Sequence, residues 1–391
     1  MKRIALALEY PLMQQGGTEV LVRELLRGLS QHFQIVLISG DPDKQSLPAN
    51  LGRLVHTHLH WIQGPPDSRP ARDLAKNLKD QQIELAHFHF GGTYEWASNR
   101  IGRCPIPYVA DLGVPCVATN HSVMEWLNCG VHPSRSFPYK LLAQAYAWMS
   151  RARVLAKLSL EICVSKANQR SLRQMFPLFR SKIGQHYHSL LPDNGAPVRE
   201  DREPTVLCAG AISGLKGQSI LAEAFAQVAS YYPEWKLVFV GRTDSTSDEE
   251  KIRGCAANND AASRIILRGA QSHEATLELM QRASIIALPS LREGLGLALQ
   301  EALYYGCVGV GSRIGGIPEL IEHERNGLLV QPGDVSGLRD ALQRLMGSQE
   351  LRARFRARTR PSIIEKGMTA PAMIRNYLQI YEAVRSKRSA P

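Results

Sequence analysis

Short apolar runs alternate with longer segments of helical periodicity along this chain. Residues 3–10 and 35–39 are apolar runs that predict buried strands, and residues 18–30 between them carry apolar side chains at helical spacing. A strand–helix–strand order of this kind predicts parallel strands that are covered by helices. The first part of the chain is therefore predicted to be of the α/β class.

The same alternation returns in the second half. The strand candidates there are residues 205–209, 236–240, 264–267, 284–288 and 307–311. Two series of parallel strands in 391 residues predict two domains of ordinary size. We expect an N-terminal domain at residues 1–196, a C-terminal domain at residues 197–370, and a last helix at residues 371–391.

The apolar run at residues 284–288 is followed by a break at Pro289 and then by good helix formers. This pattern predicts a buried strand, a loop and a helix that begins near Gly296. The first N–H groups of a helix lack partners within it and form the positive end of its dipole, so this loop favours a phosphate group. Gly294 and Gly296 would let a ligand approach the backbone closely.

Two carboxylates flank this predicted phosphate site. Glu293 lies in the loop, and Glu301 lies one to two turns inside the helix. Eight helical residues rise about 12 Å, roughly the separation of the ribose and the sugar in a nucleoside diphosphate sugar. The segment could thus bind ribose and sugar hydroxyls on either side of a diphosphate, although an ordinary strand–loop–helix with two solvated glutamates would show the same pattern.

The Glu-x7-Glu spacing after a strand and Pro-Ser resembles the donor-site signature of retaining glycosyltransferases of the GT-B fold, most closely family 4. The resemblance is nearly continuous from residue 210 to residue 334, and it is scattered in the N-terminal half. It implies two Rossmann-like α/β/α domains that face a cleft, with the helix at residues 371–391 crossing back to the N-terminal domain.

The resemblance also implies roles for residues of the C-terminal half. Lys216, in the loop 210–217, would stabilise the leaving diphosphate, Glu293 would orient the sugar ring, and Glu301 would bind the ribose. The donor-binding residues expected in this half are Gly210, Lys216, Arg242, Glu293, Gly294, Leu295, Gly296, Leu297 and Glu301.

One position departs from the family pattern. Ala211 stands where the family has an arginine that binds the diphosphate. An arginine there would hold two phosphate oxygens, and its loss would cost about 2–3 kcal/mol of charge-assisted hydrogen bonding. Arg242 and Arg313 are the candidates to replace it.

In the N-terminal half the resemblance includes a glycine pair and a histidine. Gly16 and Gly17 resemble the family's Gly-Gly loop, whose backbone approaches the donor diphosphate. His121 ends a strand candidate at the carboxyl edge of the sheet, where ligands bind in open α/β sheets. The family carries a histidine at the matching position, near the donor sugar. We therefore expect Gly16 and Gly17 in the donor site, and His121 among the catalytic residues with Lys216 and Glu293.

Histidines alternate at residues 56–60 and again at residues 87–89, which places each set on one face of a strand. Neither set has a nearby carboxylate or cysteine in the sequence that would complete a metal site. We expect no metal and no other cofactor, with the nucleoside diphosphate sugar as a substrate.

Positive charge is concentrated within the chain, whose net charge is +11. Residues 135–182 hold ten lysines and arginines against the single acid Glu161. Such a surface favours phosphate-bearing partners. We expect an anionic membrane surface as a partner of this segment, and no nucleic acid; a basic solvated face without a partner is the alternative.

Seven widely spaced cysteines without a C-x-x-C pattern favour reduced thiols. No apolar run reaches the roughly 18 residues that a membrane span needs. The apolar start is cut short at Glu9 and predicts a first strand instead of a signal peptide. These features predict a cytoplasmic protein, with a peripheral position on the inner membrane face as a possibility.

The function that the resemblance implies is hexosyl transfer with retention, from a nucleoside diphosphate sugar to a hydroxyl group. A UDP-sugar is favoured as the donor, and a lipid-linked or cell-surface glycan precursor as the acceptor, as in polysaccharide biosynthesis. A non-catalytic or weakened sugar-nucleotide-binding protein is one alternative. A sugar-nucleotide epimerase or a dehydrogenase is another, although the chain lacks the G-x-G-x-x-G pattern of dinucleotide binding.

Overall fold

The computed structural model describes residues 1–14, 16–61, 69–90, 104–121, 137–195, 197–257 and 263–389. The start of the basic segment at residues 135–136 and the predicted domain boundary at Ala196 lie outside the described residues.

All strands of the described residues pair in parallel with their neighbours. They are β1 (Arg3–Leu8), β2 (Gln34–Ser39), β3 (Val55–His60), β4 (Leu85–Phe90), β5 (Cys116–Asn120), β6 (Leu160–Cys163), β7 (Ile183–Gln185), β8 (Glu203–Ala209), β9 (Lys236–Val240), β10 (Ile265–Leu267), β11 (Ala283–Leu288), β12 (Val308–Ser312) and β13 (Gly327–Val330).

The helices follow the strands in alternation. They are α1 (Gly17–Leu29), α2 (Ala49–Gly52), α3 (Arg69–Asp80), α4 (Pro105–Asp111), α5 (Phe137–Lys157), α6 (Lys166–Met175), α7 (Gln218–Val228), α8 (Thr246–Ala257), α9 (His273–Arg282), α10 (Leu297–Tyr304), α11 (Ile317–Leu320), α12 (Val335–Gly347), α13 (Gln349–Glu365) and α14 (Ala370–Ser389). Two 3₁₀ helices span Pro177–Lys182 and Ala229–Tyr231.

The chain divides into two compact units. The first comprises Met1–His188 together with Ala370–Pro391, and the second comprises Ser189–Thr369. The N-terminal part of the first unit thus ends at His188, whereas the sequence predicts a boundary after residue 196. Helix α14 belongs to the first unit, where Ile374 lies against Gly28 of α1.

The first unit contains a seven-stranded sheet in the order β3-β2-β1-β4-β5-β6-β7. Its central strands are buried, because helices cover a parallel sheet, whereas the edge strands β3 and β7 are partly exposed. In the register at its centre, His89 of β4 stands between Leu8 of β1 and Thr119 of β5. The carboxyl ends of these three strands therefore lie side by side.

The second unit contains a six-stranded sheet in the order β10-β9-β8-β11-β12-β13. The five strands predicted from its apolar runs are all present, whereas β13 and, in the first unit, β7 were not predicted. Its core packs α7 and α12 against the sheet around Phe225 and Leu342. Both units are doubly wound parallel α/β structures, which confirms the predicted fold class.

Candidate functional site

The second sheet has a topological switch point between β8 and β11. Strands are added on one side of β8 up to β10, and on the other side from β11 onward. Ligands of open α/β sheets bind beyond the carboxyl ends of the strands at such a point. The loops that follow β8 and β11 meet there, where the N–H of Leu291 donates to the carbonyl of Leu215 at 2.8 Å.

Two glycines let neighbouring loops approach this region closely. Gly217 has a φ of +67°, and a Cβ at this position would collide with the carbonyl of Pro289. Gly315, in the loop after β12, has a φ of +55° and lies against the carbonyl of Glu293. A larger residue at either position would push on the loop that carries Glu293.

Lys216 and Glu293, both predicted to be catalytic, form an ion pair. The Nζ of Lys216 lies 2.8 Å from Oε2 of Glu293, and the Oγ of Ser290 donates to the same oxygen at 3.2 Å. The N–H of Gly294 donates to Oε1 of Glu293 at 3.2 Å. The Glu293 side chain is only 10% exposed, so these contacts hold a nearly buried carboxylate in one orientation.

Helix α10 begins directly after this loop, as predicted. Gly296 is its N-cap with a φ of +94°, and Leu297 is its first residue. Because a glycine has no capping side chain, the first N–H groups of α10 are not capped by it. Leu295 is buried and anchors the turn. Gly294 to Leu297 therefore bring the positive end of α10 to the switch point, beside the Lys216–Glu293 pair.

Glu301, the predicted ribose ligand, lies in α10 and is 5% exposed. Its Oε1 is 2.6 Å from Nε2 of His273, the first residue of α9. His273 was not predicted from the sequence, because α9 and α10 meet only in the folded unit and no motif joins these residues. The contact fixes one carboxylate oxygen of Glu301.

The loop that contains Ala211 is bordered by the loop after β9. The N–H of Ile212 donates to the carbonyl of Arg242 at 2.8 Å, and Gly241 lies against the carbonyl of Gly210. The Arg242 guanidinium contacts Asp244, with Nε 2.7 Å from Oδ1. Arg242 is therefore next to the position that lacks the family arginine, but its charge is shared with Asp244.

Arg313, the other candidate replacement, starts the loop after β12. It is exposed, and its N–H donates to the carbonyl of Val330 at 2.7 Å.

Gly16, Gly17 and His121 belong to the first unit. Gly16 is the extended N-cap of α1, and Gly17 is the first helical residue. The buried carboxylate of Glu19 lies against Gly16. The start of α1 therefore has a carboxyl group beside it, which the glycine pair alone did not indicate. Gly16 follows β1 and His121 follows β5, on either side of β4.

His121 adjoins a second histidine at the carboxyl end of β4. Its Nε2 lies 3.2 Å from Nδ1 of His89, and the two rings stack with centroids 5.5 Å apart. The Nε2 of His89 is buried and has no hydrogen-bond partner within the described part of the chain. A buried lone pair costs less than a buried N–H without an acceptor, so we assign the shared proton to Nδ1 of His89.

A separate hydrogen-bonded chain includes His87 and reaches α14. Nδ1 of His87 is 2.6 Å from Oη of Tyr381, and Nε2 of His87 is 2.8 Å from Oγ1 of Thr119. Thr119 contacts Oη of Tyr377 at 3.0 Å, and this hydroxyl lies 2.6 Å from Nε2 of His188. All partners are neutral and buried, so the chain requires neutral imidazoles.

The alternating histidines of β3 have other partners. The Nε2 of His58 lies 2.9 Å from Oγ of Ser39, and Nδ1 of His60 lies 2.6 Å from the carbonyl of Asp41. Within the described residues no group of three histidine, cysteine or acidic side chains could hold a metal ion. No helix in that same part of the chain is both long and apolar enough to cross a membrane.

Two family descriptions match the chain. Residues 15–185 match Glycosyltransferase Family 4, and residues 194–361 match Glycosyl transferases group 1. The second match contains the switch point, the Lys216–Glu293 pair and Glu301.

Individual relatives align over part of their length. The chain is 30% identical over 161 residues to the N-acetyl-alpha-D-glucosaminyl L-malate synthase of Bacillus anthracis, covering 41% of this chain and 40% of that protein. It is 29% identical to the alpha-D-kanosaminyltransferase of Streptomyces kanamyceticus, covering 41% of each. The alignments thus span about two fifths of these relatives.

The fold is shared over nearly the whole chain with a solved structure. The Anabaena protein Alr3699/HepE, in complex with UDP and glucose, superposes with a TM-score of 0.75 at 16% identity, covering 98% of this chain and 100% of that one.

The buried histidines predict a pH dependence of stability. Burial lowers the pKa of His87 to about 3, with His121 adding to the effect, and burial also lowers the pKa of His89 and His188 well below 6.5. Below pH 6.5 the unfolded chain therefore binds protons that the folded chain does not. The unfolding free energy should fall by about 1.4 kcal/mol per pH unit for each of these histidines.

Urea denaturation of the intact chain between pH 7.5 and 5 would measure this slope, since most carboxylates titrate at lower pH. In the His87→Gln variant the unfolding free energy should change less with pH, by about 1.4 kcal/mol per pH unit. An unfolding free energy that stays constant over this pH range would contradict the assignment of neutral, buried imidazoles.

Proposed function

We propose that this chain, which belongs to the group 1 glycosyltransferases of the GT-B fold, transfers a hexose from a nucleoside diphosphate sugar to a hydroxyl group with retention of configuration. The observation that carries the proposal is the Lys216–Glu293 pair at the start of α10, at the switch point of the second sheet. At this point one ligand could contact the Lys216 cation, the first N–H groups of α10, and the carboxylates of Glu293 and Glu301.

The proposed chemistry depends on stabilising the leaving diphosphate. The bond between the anomeric carbon and the diphosphate oxygen breaks as the acceptor hydroxyl attacks. The hydroxyl proton would pass to the departing phosphate oxygen, and the remaining negative charge develops on the diphosphate. Lys216 and the N-terminal end of α10 would stabilise that charge. Glu293 would orient the sugar ring, and attack on the face from which the diphosphate leaves would give retention.

Binding of the donor would change the partners of Lys216. Its ammonium compensates the nearly buried Glu293. A diphosphate beside Lys216 would compete for the same ammonium, and sugar hydroxyls would then supply the hydrogen bonds that Glu293 gives up. The pair therefore couples phosphate binding to the orientation of the carboxylate that meets the sugar.

A UDP-sugar is the proposed donor, because the HepE structure of the same fold holds UDP and glucose. The proposed acceptor is the hydroxyl of a lipid-linked or cell-surface glycan precursor, and we place the reaction at an anionic membrane surface. The basic segment 135–182 supports this placement. We propose that Lys216 and the helix end perform the charge stabilisation without a metal, so EDTA should leave transfer unchanged.

The second candidate is a sugar-nucleotide-binding protein with weak or no turnover. The absence of the family arginine at Ala211 favours it. Thermal-shift measurements with UDP-, GDP- and ADP-sugars would identify the donor, because a bound ligand raises the melting temperature. Transfer of radiolabelled sugar from that donor to a lipid extract would then separate an enzyme from a binding protein.

The roles of Lys216 and Glu293 predict different effects of their substitution. Glu293→Gln should lower kcat by about 100-fold with a smaller change in donor affinity, because Glu293 orients the reacting sugar. Lys216→Gln should lower both kcat and affinity. Initial rates of radiolabel transfer and calorimetry with the donor would measure them.

Glu350→Gln is the matched control, since Glu350 is exposed in the first turn of α13. A Glu293→Gln variant that turns over like the wild type would exclude Glu293 from the reaction. No transfer and no donor binding by the wild type would exclude the proposed function itself.

The His273–Glu301 contact predicts a graded effect on nucleotide affinity. Glu301→Ala should weaken UDP binding by about 1.5–3 kcal/mol, because the ribose loses a charged acceptor. His273→Ala should weaken it less, and His273→Gln, which keeps a donor, should retain more affinity than His273→Ala. If Glu301 binds the ribose, Glu301→Ala should reduce the affinity for 2′-deoxy-UDP less than it reduces the affinity for UDP, as measured by calorimetry. Equal affinity of all variants for UDP would remove this carboxylate from the site.

Substitution at Ala211 tests whether the phosphate site is incomplete. If neither Arg242 nor Arg313 replaces the family arginine, Ala211→Arg should tighten donor binding by about 10- to 100-fold, and Arg242→Ala and Arg313→Ala should have little effect. If Arg242 already fills the role, the added guanidinium would meet like charge, and Ala211→Arg should weaken binding. Donor titrations of the three variants distinguish the two cases. An unchanged affinity in all three would place the diphosphate away from this loop.

A further inference from the structure

His89 is completely buried, whereas the neighbouring His121 is partly exposed. His89 lies near the carboxyl end of β4, in register with Thr119 of β5, and His121 directly follows the last residue of β5. The two rings are joined by the contact of 3.2 Å between Nδ1 of His89 and Nε2 of His121. A ligand at this edge of the sheet could therefore reach His121 but not His89.

The protonation of one ring determines that of the other. The contact between the two nitrogens holds one proton, because a hydrogen bond needs one donor and one acceptor. If His121 supplied this proton, the neutral His89 would carry its own on Nε2, which is buried and has no partner within the described part of the chain. A buried N–H without an acceptor is costly, so His89 is the donor and its Nε2 keeps a lone pair.

His121 consequently carries its proton on Nδ1. In a neutral imidazole one nitrogen donates and the other accepts, and Nε2 of His121 accepts from His89. Its Nδ1 forms no hydrogen bond with any residue that the structure describes. Burial lowers the pKa of His121 to about 3, so the ring is neutral near pH 7. His121 therefore offers a ligand one N–H donor and no charge.

Neighbouring rings also restrict the orientation of His121. Its ring stacks on that of His89 with an interplanar angle of 30°, and its centroid lies 5.2 Å from that of His188. The ring of His87 lies 4.1 Å from that of His89. Packed rings of this kind leave the hydrogen-bonding partner of His121 little freedom to turn. The direction of the Nδ1–H group is thus set together with its existence.

We propose that His89 is a positioning residue, which keeps His121 as an Nδ1–H donor that binds an uncharged oxygen, a hydroxyl group of the hexose. The inference deepens the proposed function and rests on it. Because Nδ1 already carries a proton and Nε2 is occupied, His121 orients the sugar and does not act as a general base. An ammonium group in place of that hydroxyl has no lone pair to accept from Nδ1–H and would be rejected.

NMR of the full chain with ¹⁵N-labelled histidines tests the tautomer without any reaction. In the wild type the proton of His121 should be on Nδ1, and the His121→Gln variant identifies its signals. His89→Leu removes the donor to Nε2, so the His121 signals should move towards a mixture of both tautomers. A proton on Nε2 of His121 in the wild type, or His121 signals that His89→Leu leaves in place, would overturn the proposal.

Two substitutions of His89 separate positioning from packing. His89→Leu should lower kcat about 10-fold with a smaller change in KM, because the donor to the sugar is no longer fixed. His89→Asn keeps an N–H group near the position of Nδ1 and should retain more of the rate. If His89 only fills space, the order of the two rates should be reversed, because leucine suits a buried position better than an amide does. Urea denaturation would measure the stability of both variants for this comparison.

A double-mutant cycle shows whether His89 acts through His121. In a His121→Ala background, His89→Leu should cause no further loss of kcat, whereas losses that simply add would overturn the positioning role. His32→Leu is the matched control for removal of a histidine. His32 is exposed and lies between α1 and β2, so this variant should transfer at the wild-type rate.

Ligand titrations in the same NMR experiment test the contact with the sugar. The Nδ1–H signal of His121 should shift when a UDP-sugar is added and stay in place with UDP alone; equal shifts with both would overturn the contact with a sugar hydroxyl. Absence of donor binding and of transfer in the wild type would overturn the proposed function together with this inference. Wild-type transfer that His89→Leu leaves unchanged would remove only the role of His89.

Discussion

The candidate site depends on the pairing of β8 with β11, because this contact brings Lys216 and Glu293 within 2.8 Å of each other. Neither residue lies in a helix or a strand, so their separation is set by two loops that leave adjacent parallel strands. Gly217 and Gly315 contribute by allowing backbone to pass close to the Glu293 loop. A pair of opposite charges with one nearly buried member is stable only if this geometry is maintained.

Further hydrogen bonds add to the constraint on Glu293. Glu293 receives hydrogen bonds from Ser290 and Gly294 in addition to its contact with Lys216. Its carboxylate is therefore held in one orientation, and fixed charges and dipoles of this kind are the condition for effective electrostatic stabilisation of a transition state. His273 has a similar relation to Glu301, which it holds from a neighbouring helix.

The sequence allowed the fold class and most strands to be predicted, because buried parallel strands are apolar runs that end at glycine or proline. The start of α10 was predicted within one residue. Gly296 adopts a left-handed conformation that favours glycine, and the good helix formers begin directly after it. Strands β7 and β13 were not predicted; only one of the three residues of β7, Ile183, is apolar. His273 and the Tyr377–His188 contact were not predicted, because they join residues that only tertiary packing brings together.

In the first unit, the polar side chains at the centre of the sheet are buried, and those at the β7 edge are exposed. At the centre of its sheet, His87 is surrounded by Thr119 and Tyr381, and neutral partners in a dry environment cannot stabilise an imidazolium. At the β7 edge, by contrast, Arg170 and Arg180 are exposed to solvent and line one groove. Water stabilises a charged group that a dry environment does not, so cations lie at this edge of the sheet and neutral imidazoles at its centre.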